Sequence, residues 1–268
     1  MPAIAVVCDA DSCIPEKLRR DLDILTAPAD PLLLSEPEAA DVLRRDQALA
    51  PADAAVAVCR RAAASAATVV YVGCDDGYGG GPAQVAAARA ALAADGRSEA
   101  LVSVPIAGTL MAAGWAAVAA AAAARAGREV GEVIAEAQRV GAAARVLVLL
   151  EYPQLAGVGG GLLGTLRRSR AIVEPRGPEL AVVARPGSRS EGLVALRERF
   201  REEASASEGF LRVAVLHGGS EPAALAMQRW LERELKPEEV LIAPLTRHAA
   251  TRLGPGLVGF GWYADTRH

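Results

Sequence analysis

Residues 68–94 of this chain, TVVYVGCDDGYGGGPAQVAAARAALAA, decide its fold class. The opening run at residues 68–73 is rich in β-branched and aromatic side chains and predicts a buried strand. A glycine-rich turn follows at residues 77–82. The alanine-rich residues 83–94 then predict a helix, because alanine has the highest helix propensity. A buried strand that runs through a tight turn into a helix is typical of an α/β protein.

The same alternation extends through the first half of the chain. Short apolar runs predict strands at residues 4–8, 24–27, 32–34, 101–105 and 145–150. Alanine-rich or helically spaced apolar residues predict helices at residues 51–67, within 104–124 and at 130–140. Strands that alternate with helices favour a parallel sheet covered on both faces.

The pattern changes after residue 151. A turn signal at residues 175–178 joins two short predicted strands, and helices and further strands then follow in mixed order. Hairpins mixed with helices predict a second α/β domain with a mixed sheet. We therefore predict a parallel α/β/α domain at residues 1–152 and a two-layer α/β domain at residues 153–268.

Composition excludes several classes of protein. The 268 residues carry a net charge of −3, so the basic surface of a nucleic-acid-binding protein is not expected. Residues 104–124 carry no charge and are long enough to cross a bilayer. They are mostly alanine, which contributes little to membrane insertion, and we predict a buried helix there instead. Residues 1–10 read as a strand rather than a signal peptide, so we expect a cytoplasmic protein without stable membrane insertion.

The four cysteines do not indicate a metal site. Cys8, Cys13, Cys59 and Cys74 form no CxxC pair and have no zinc-binding spacing with histidine. We predict reduced, mostly buried thiols.

The glycine-rich turn is the first candidate site. Glycines allow the backbone to approach a ligand closely, and the N–H groups at a helix start favour an anion such as a carboxylate or phosphate. A tight strand-to-helix turn without a ligand explains the same residues equally well.

Four aspartates form the second candidate site. Asp9 and Asp11 follow the first strand, and Asp75 and Asp76 follow the strand at residues 68–73. They could meet at the carboxyl edge of one sheet, where α/β proteins bind ligands, and hold Mg²⁺. Helix capping and solvated loops are the commoner roles of such residues.

Two cationic or titratable side chains complete the candidates. His217 ends a predicted strand and could act as a base or donate to an anion, although a structural role is favoured. Arg252 precedes the turn Gly254-Pro255-Gly256 and could bind a carboxylate. An exposed arginine at a strand entry is the alternative.

These segments, in this order, resemble the DegV family of bacterial fatty-acid-binding proteins. The resemblance spans nearly the whole chain and rests on the order and spacing of five segments. They are AVVCD at residues 5–9 with Ile14-Pro15, the turn at 77–85, Leu150-Glu151-Tyr152, Leu162-Leu163-Gly164 and Gly254-Pro255-Gly256.

The resemblance implies a fatty-acid carrier rather than an enzyme. A family member of this kind holds one long-chain fatty acid in an apolar tunnel of its second domain, and the carboxylate reaches the cleft between the domains. The catalytic subunit of a fatty acid kinase is the implied partner, and no cofactor is expected apart from the bound fatty acid. The residues that the resemblance places at the carboxylate are Gly79, Gly80, Gly81, Gln47 and Arg252, and those that line the cleft are Asp9, Arg170 and His217.

Three positions depart from the family pattern. The family's carboxylate-binding serine falls on Gly79, its Thr-Ser-Gln-Pro-Ser-Pro segment is reduced to residues 46–51, and its closing histidine falls on Arg252. The glycine turn keeps its backbone N–H groups, and arginine is a permanently charged donor. Two alternatives stay open: a family member without ligand that acts through protein partners, and a Mg²⁺-dependent phosphotransferase or hydrolase that uses the four aspartates.

Overall fold

The computed structural model of the chain describes residues 3–27, 53–74, 81–158, 170–176 and 179–266. These residues form two compact units, one of the described residues up to Ala144 and one of those from Arg145 onward. The strands are β1 (Ile4–Cys8), β2 (Leu25–Thr26), β3 (Thr68–Cys74), β4 (Leu101–Ile106), β5 (Arg145–Leu150), β6 (Ala171–Arg176), β7 (Glu179–Ala184), β8 (Phe210–His217), β9 (Glu239–Pro244) and β10 (Val258–Asp265). The α-helices are α1 (Glu16–Asp21), α2 (Ala54–Ser65), α3 (Gly81–Ala94), α4 (Met111–Arg125), α5 (Val130–Ala143), α6 (Arg189–Ser205), α7 (Glu221–Glu234) and α8 (Arg247–Leu253).

The first unit is a three-layer α/β/α sandwich, which confirms the predicted fold class. Its sheet has the order β2-β1-β3-β4, and every pairing is parallel. Successive side chains of a strand point to opposite faces. Val69 and Tyr71 accordingly pack in one cluster with α2 and α3, whereas Val70 and Val72 pack in another with α4 and α5.

The uncharged stretch at residues 104–124 is divided between β4 and α4. Helix α4 spans fifteen residues, and most of its side chains are buried. Alanine and Gly114 allow neighbouring backbone to approach closely, and the Ser12 carbonyl lies against Gly114. Within the described part of the chain, no helix is both long enough and apolar enough to cross a membrane.

The four cysteines lie in the first unit as free, buried thiols, as predicted. Burial raises the pKa of Cys8 and of Cys59 to about 12, so neither forms a thiolate near neutral pH. Cys8 and Cys74 pack in the apolar core on one face of the sheet, and Cys59 packs in the core on the other face.

The second unit is built on a mixed six-stranded sheet with the order β7-β6-β5-β10-β8-β9. Strands β8 and β9 pair in parallel, and the other pairings are antiparallel. Helices α6 and α7 pack against one face, which we call the helix face. Its core is aromatic: the rings of Phe200 and Phe260 lie 4.2 Å apart between centroids, and Trp262 meets Phe200 edge-on.

The two units divide before the predicted domain boundary at residue 152. Strand β5 pairs with β6 and β10, so it belongs to the second unit, and the chain divides between Ala144 and Arg145. The run RVLVLL is apolar at every position after Arg145 and is buried there. Such a run fits a central strand of either sheet, because both faces of a central strand are covered. Only the pairing partners decide which sheet it joins.

The opposite face of the mixed sheet, which we call the second face, carries an unbroken apolar row. Paired residues extend it across all six strands, from the exposed Val182 at one edge to buried positions on the other five. None of its members belongs to the core cluster with α6 and α7. The row is Val182, Val173, Val148, Gly259, Leu216 and Ala243.

Candidate functional site

The carboxyl edge of the parallel sheet collects the predicted polar residues of the first unit. Strands β1, β3 and β4 run in parallel and end at the same edge, and α3 begins there. Asp9 directly follows β1 and caps the short 3-10 turn Ala10–Ser12. Its carboxylate is buried, so its position depends on internal hydrogen bonds.

Asp9 connects the ends of two strands. Its Oδ1 accepts hydrogen bonds from the Asp11 backbone N–H at 3.1 Å and the Ser12 hydroxyl at 3.0 Å. Its Oδ2 accepts one from the Cys74 backbone N–H, at the end of β3, at 2.8 Å. Burial, and then the Asp11 carboxylate, raise the pKa of Asp9, whereas the bonds from Cys74 and Ser12 lower it. Because burial prevails, the folded protein holds this carboxylate at a cost in free energy.

Gly81 is needed at the start of α3 for close packing. A Cβ at this position would lie 2.8 Å from the Cys74 carbonyl oxygen and 3.7 Å from Asp9 Oδ2. The described helix α3 spans Gly81–Ala94 and includes two residues before the predicted start at residue 83. A cavity of about 220 Å³ lies beside it, lined by Tyr71, Gly73, Cys74, Gly81, Pro82, Val85, Ser103, Val104 and Pro105.

The predicted aspartate cluster is described only in part. Asp9 and Asp11 lie together at the end of β1, whereas Asp75 and Asp76 lie outside the described residues. Both oxygens of Asp9 already accept hydrogen bonds from N–H or O–H groups. Across residues 3–27, 53–74, 81–158, 170–176 and 179–266, no group of three or more His, Cys, Asp or Glu side chains could hold a metal ion.

A buried ionic network occupies one edge of the second unit. Glu151 follows β5, and its carboxylate accepts from Arg170 Nε at 2.7 Å and from Arg189 at 2.5 Å. Arg189, the first residue of α6, also donates to the Gly256 carbonyl at 3.0 Å and to the Ser220 hydroxyl at 2.6 Å. The Glu151 side chain is only 7% exposed, so loss of either arginine would leave charge poorly compensated.

Sequence reasoning assigned no role to Glu151, Arg189 or Ser220. The three residues are far apart in the chain, and no local pattern signals their contact. Arg170, which was predicted to line the cleft, is the one member of this network that was expected at the site. The network ties the residue before β6 to the start of α6 and to the turn that leads into β10.

His217 ends β8 as predicted and lies on the helix face. It is buried, and its Nδ1 has no hydrogen-bond partner among the described residues. Burial lowers the pKa of His217, and the nearby Glu221 carboxylate opposes this effect only partly. The imidazole is therefore neutral at physiological pH.

Arg252 lies in the last turn of α8, a short helix that the sequence pattern did not reveal. Thr246 caps this helix by accepting from the Ala249 N–H at 3.1 Å. Gly254 ends it with a φ of +85°, a left-handed conformation that favours glycine. A Cβ there would also crowd Tyr152 and Leu155. Arg252 therefore stands on a helix immediately before the Gly-Pro-Gly turn rather than at a strand entry.

The predicted carboxylate site remains partly outside the described residues. Gln47, Gly79 and Gly80 fall there. Within the first unit, Gly81 and Asp9 lie at the same edge of the sheet. Within the second, Arg189 connects Glu151 and Arg170 to Ser220, three positions after His217.

One protein-family model matches more than half of the chain. The model of the DegV family, described as a family of uncharacterised proteins, matches residues 83–265. This chain belongs to the DegV family. The match covers α3 from its third residue onward, β4, α4 and α5 of the first unit, and the second unit through Asp265. No curated protein matches the chain.

Solved structures of fatty-acid-binding proteins, two of them DegV proteins, share the fold over almost the full length. A fatty-acid-binding DegV protein from Thermus thermophilus has a TM-score of 0.80 at 22% identity, covering 98% of this chain and 100% of that one. DegV of Bacillus subtilis, a fatty acid binding protein, has a TM-score of 0.77 at 20% identity, covering 99% and 100%. A stearic-acid-binding protein from Eubacterium ventriosum has a TM-score of 0.76 at 12% identity, covering 97% and 98%.

Proposed function

We propose that this DegV protein binds one long-chain fatty acid and presents it to a fatty acid kinase partner. The observation that carries the proposal is the apolar row on the second face of the mixed sheet. Solved DegV structures described as fatty-acid-binding proteins support it. The protein acts as a carrier in the cytoplasm and leaves the phosphoryl chemistry to the kinase.

The second face suits an acyl chain because it is apolar and built of compact side chains. Val148, Gly259 and Leu216 lie side by side on the three central strands. A second row beside it, formed by Val146, Gly261 and Ala214, is equally apolar. Burying a methylene group contributes about 0.8 kcal/mol, so a chain of ordinary length gains most of its binding free energy here.

The carboxylate of the fatty acid needs hydrogen-bond donors. We assign this role to the backbone N–H groups of Gly79, Gly80 and Gly81, to Gln47 and to the Arg252 guanidinium. A charge-assisted hydrogen bond contributes about 1.5–3 kcal/mol. Arg252 thus takes the place of the family's histidine without depending on pH.

Native mass spectrometry after mild purification tests the binding proposal. We expect one acyl chain per protein, and a delipidated sample that takes up added palmitate. Protein that arrives lipid-free and ignores palmitate would contradict fatty-acid binding.

Photo-crosslinking tests where the chain lies. A palmitate analogue with a diazirine at its terminal carbon should label peptides that contain Val148 or Leu216. Labelling confined to peptides of the first unit would contradict the placement on the second face while leaving binding itself intact.

The presentation step has its own test. The loaded protein, a fatty acid kinase catalytic subunit and Mg-ATP should yield an acyl phosphate, measured by trapping with hydroxylamine. Bound fatty acid that no kinase subunit converts would contradict the partner proposal alone.

A further inference from the structure

Strand β7 is an open edge of the mixed sheet. Its residues, Glu179–Ala184, pair only with β6 in the described part of the chain. An edge strand presents a row of N–H and C=O groups that can pair with another strand. Proteins usually protect such an edge with lysine, proline or inward-pointing charges. The interior of β7, LAVV, contains none of these.

The side chains of β7 are unusually apolar for an exposed edge. Val182 is 41% exposed and Val183 is 38% exposed. A bulge shifts the register with β6 at Val183, so that this residue has no opposite partner. A bulge increases local twist, but two exposed valines still leave an apolar surface at the edge.

Charges of opposite sign flank this apolar segment. Glu179 begins β7 and Arg185 directly follows it, and both are exposed. In an antiparallel pairing of β7 with itself, centred on Val182, Glu179 of each copy faces Arg185 of the other. The bulge displaces this match by at most one position, and arginine is long enough to reach a diagonal neighbour.

We propose that two copies of this chain associate through β7, pairing antiparallel about Val182 to extend the mixed sheet across the dimer. The occupant of the edge is a second copy because the strand is complementary in charge to itself. A single pair of edge strands buries less than about 1,000 Å² in total, so the dimer is weak and depends on concentration. The dimer does not require a bound fatty acid, although Val182 also belongs to the apolar row of the second face.

Sedimentation velocity from micromolar to millimolar protein tests the dimer. The apparent mass should rise from 27.6 kDa toward twice that value. Glu179→Arg or Arg185→Glu alone places like charges opposite each other twice, and should raise the dimer dissociation constant about tenfold or more. The double variant E179R/R185E restores the opposite charges and should dimerise like the parent chain.

Two matched valine variants distinguish the effect of a charge on the β7 edge from the effect of a charge elsewhere on the surface. Val182→Lys places a charge on the edge and should abolish the concentration dependence. Val194→Lys, at an exposed valine of α6, should leave it unchanged. A protein that is monomeric at every concentration would overturn the proposal. A double variant E179R/R185E that dimerises no more tightly than the single variants would also overturn it. So would Val182→Lys and Val194→Lys variants that change dimerisation equally.

Discussion

The two oxygens of the Asp9 carboxylate serve different neighbours, and an asparagine cannot replace both. In Asp9→Asn the amide nitrogen must face either the Cys74 N–H or the donors on Oδ1. At least one buried donor then loses its acceptor. This loss exceeds the gain from removing the buried charge, so the free energy of unfolding should fall by about 1–3 kcal/mol. Urea denaturation measures the loss. Asp95→Asn, at a surface pair with Arg60, is the control and should change stability far less, because exposed ion pairs are screened by solvent.

His217 makes stability depend on pH. Burial lowers the pKa of His217 in the folded state, so the unfolded chain takes up a proton at a pH where the folded protein does not. Stability should therefore fall as the pH drops below the ordinary histidine pKa of about 6.5. His217→Gln removes this contribution. Denaturation at neutral to mildly acidic pH gives the unfolding free energy of the parent chain minus that of the variant, and this value should decrease as the pH falls. A value that does not change with pH would contradict the prediction.

Arg252 should contribute to the affinity for the carboxylate of the ligand and not to the affinity for its acyl chain. Arg252→Gln is expected to weaken palmitate binding roughly tenfold to a hundredfold, the equivalent of one charge-assisted hydrogen bond. Binding of hexadecanol, which has the same chain without the carboxylate, should hardly change. Arg247→Gln, on the same helix, is the matched control. Titration calorimetry with both ligands checks this, and equal losses for palmitate and hexadecanol would exclude the assigned role.

At the scale of elements, two glycines in helices separate the effect of side-chain packing from that of helix propensity. A Cβ on Gly114 of α4 would lie 2.4 Å from the Ser12 carbonyl oxygen and 2.7 Å from Met111 Sδ. A Cβ on Gly131 of α5 would meet nothing within 4 Å. Gly114→Ala should therefore destabilise the protein by about 1–3 kcal/mol through overpacking. Gly131→Ala should stabilise it by up to about 1 kcal/mol. Opposite signs in urea denaturation are the expected result, and equal signs would contradict it.

The elements differ in how well their sequences predict them. Strand β3 is a continuous run rich in β-branched and aromatic residues, and helix α5 has helically spaced apolar residues; both lie where these patterns predict them. Helix α8 was missed because its seven residues, RHAATRL, are too few to show a period. Its N-cap threonine was a usable signal, since Thr246 accepts from the N–H three residues later.

At the scale of the whole molecule, a bound fatty acid should raise thermal stability. A ligand that binds only the folded state at a hundredfold excess over its dissociation constant adds about 2.7 kcal/mol. Differential scanning calorimetry should show a higher Tm for palmitate-loaded than for delipidated protein. Decane, which lacks the carboxylate, serves as the control and should give a smaller shift. Identical melting temperatures with and without palmitate would contradict the expected linkage.

The sequence by itself indicated two α/β units, one with a parallel sheet and one with a mixed sheet, because hydrophobic periodicity and turn residues are local properties. The order and spacing of its segments also resembled the DegV family. The sequence also singled out Asp9, Gly81 and His217 from their places at the ends of strands or the start of a helix. Only the tertiary structure decided that β5 joins the second unit, because an all-apolar strand fits either sheet. Only the tertiary structure paired Glu151 with Arg170 and Arg189, because contacts between residues distant in the chain leave no local pattern.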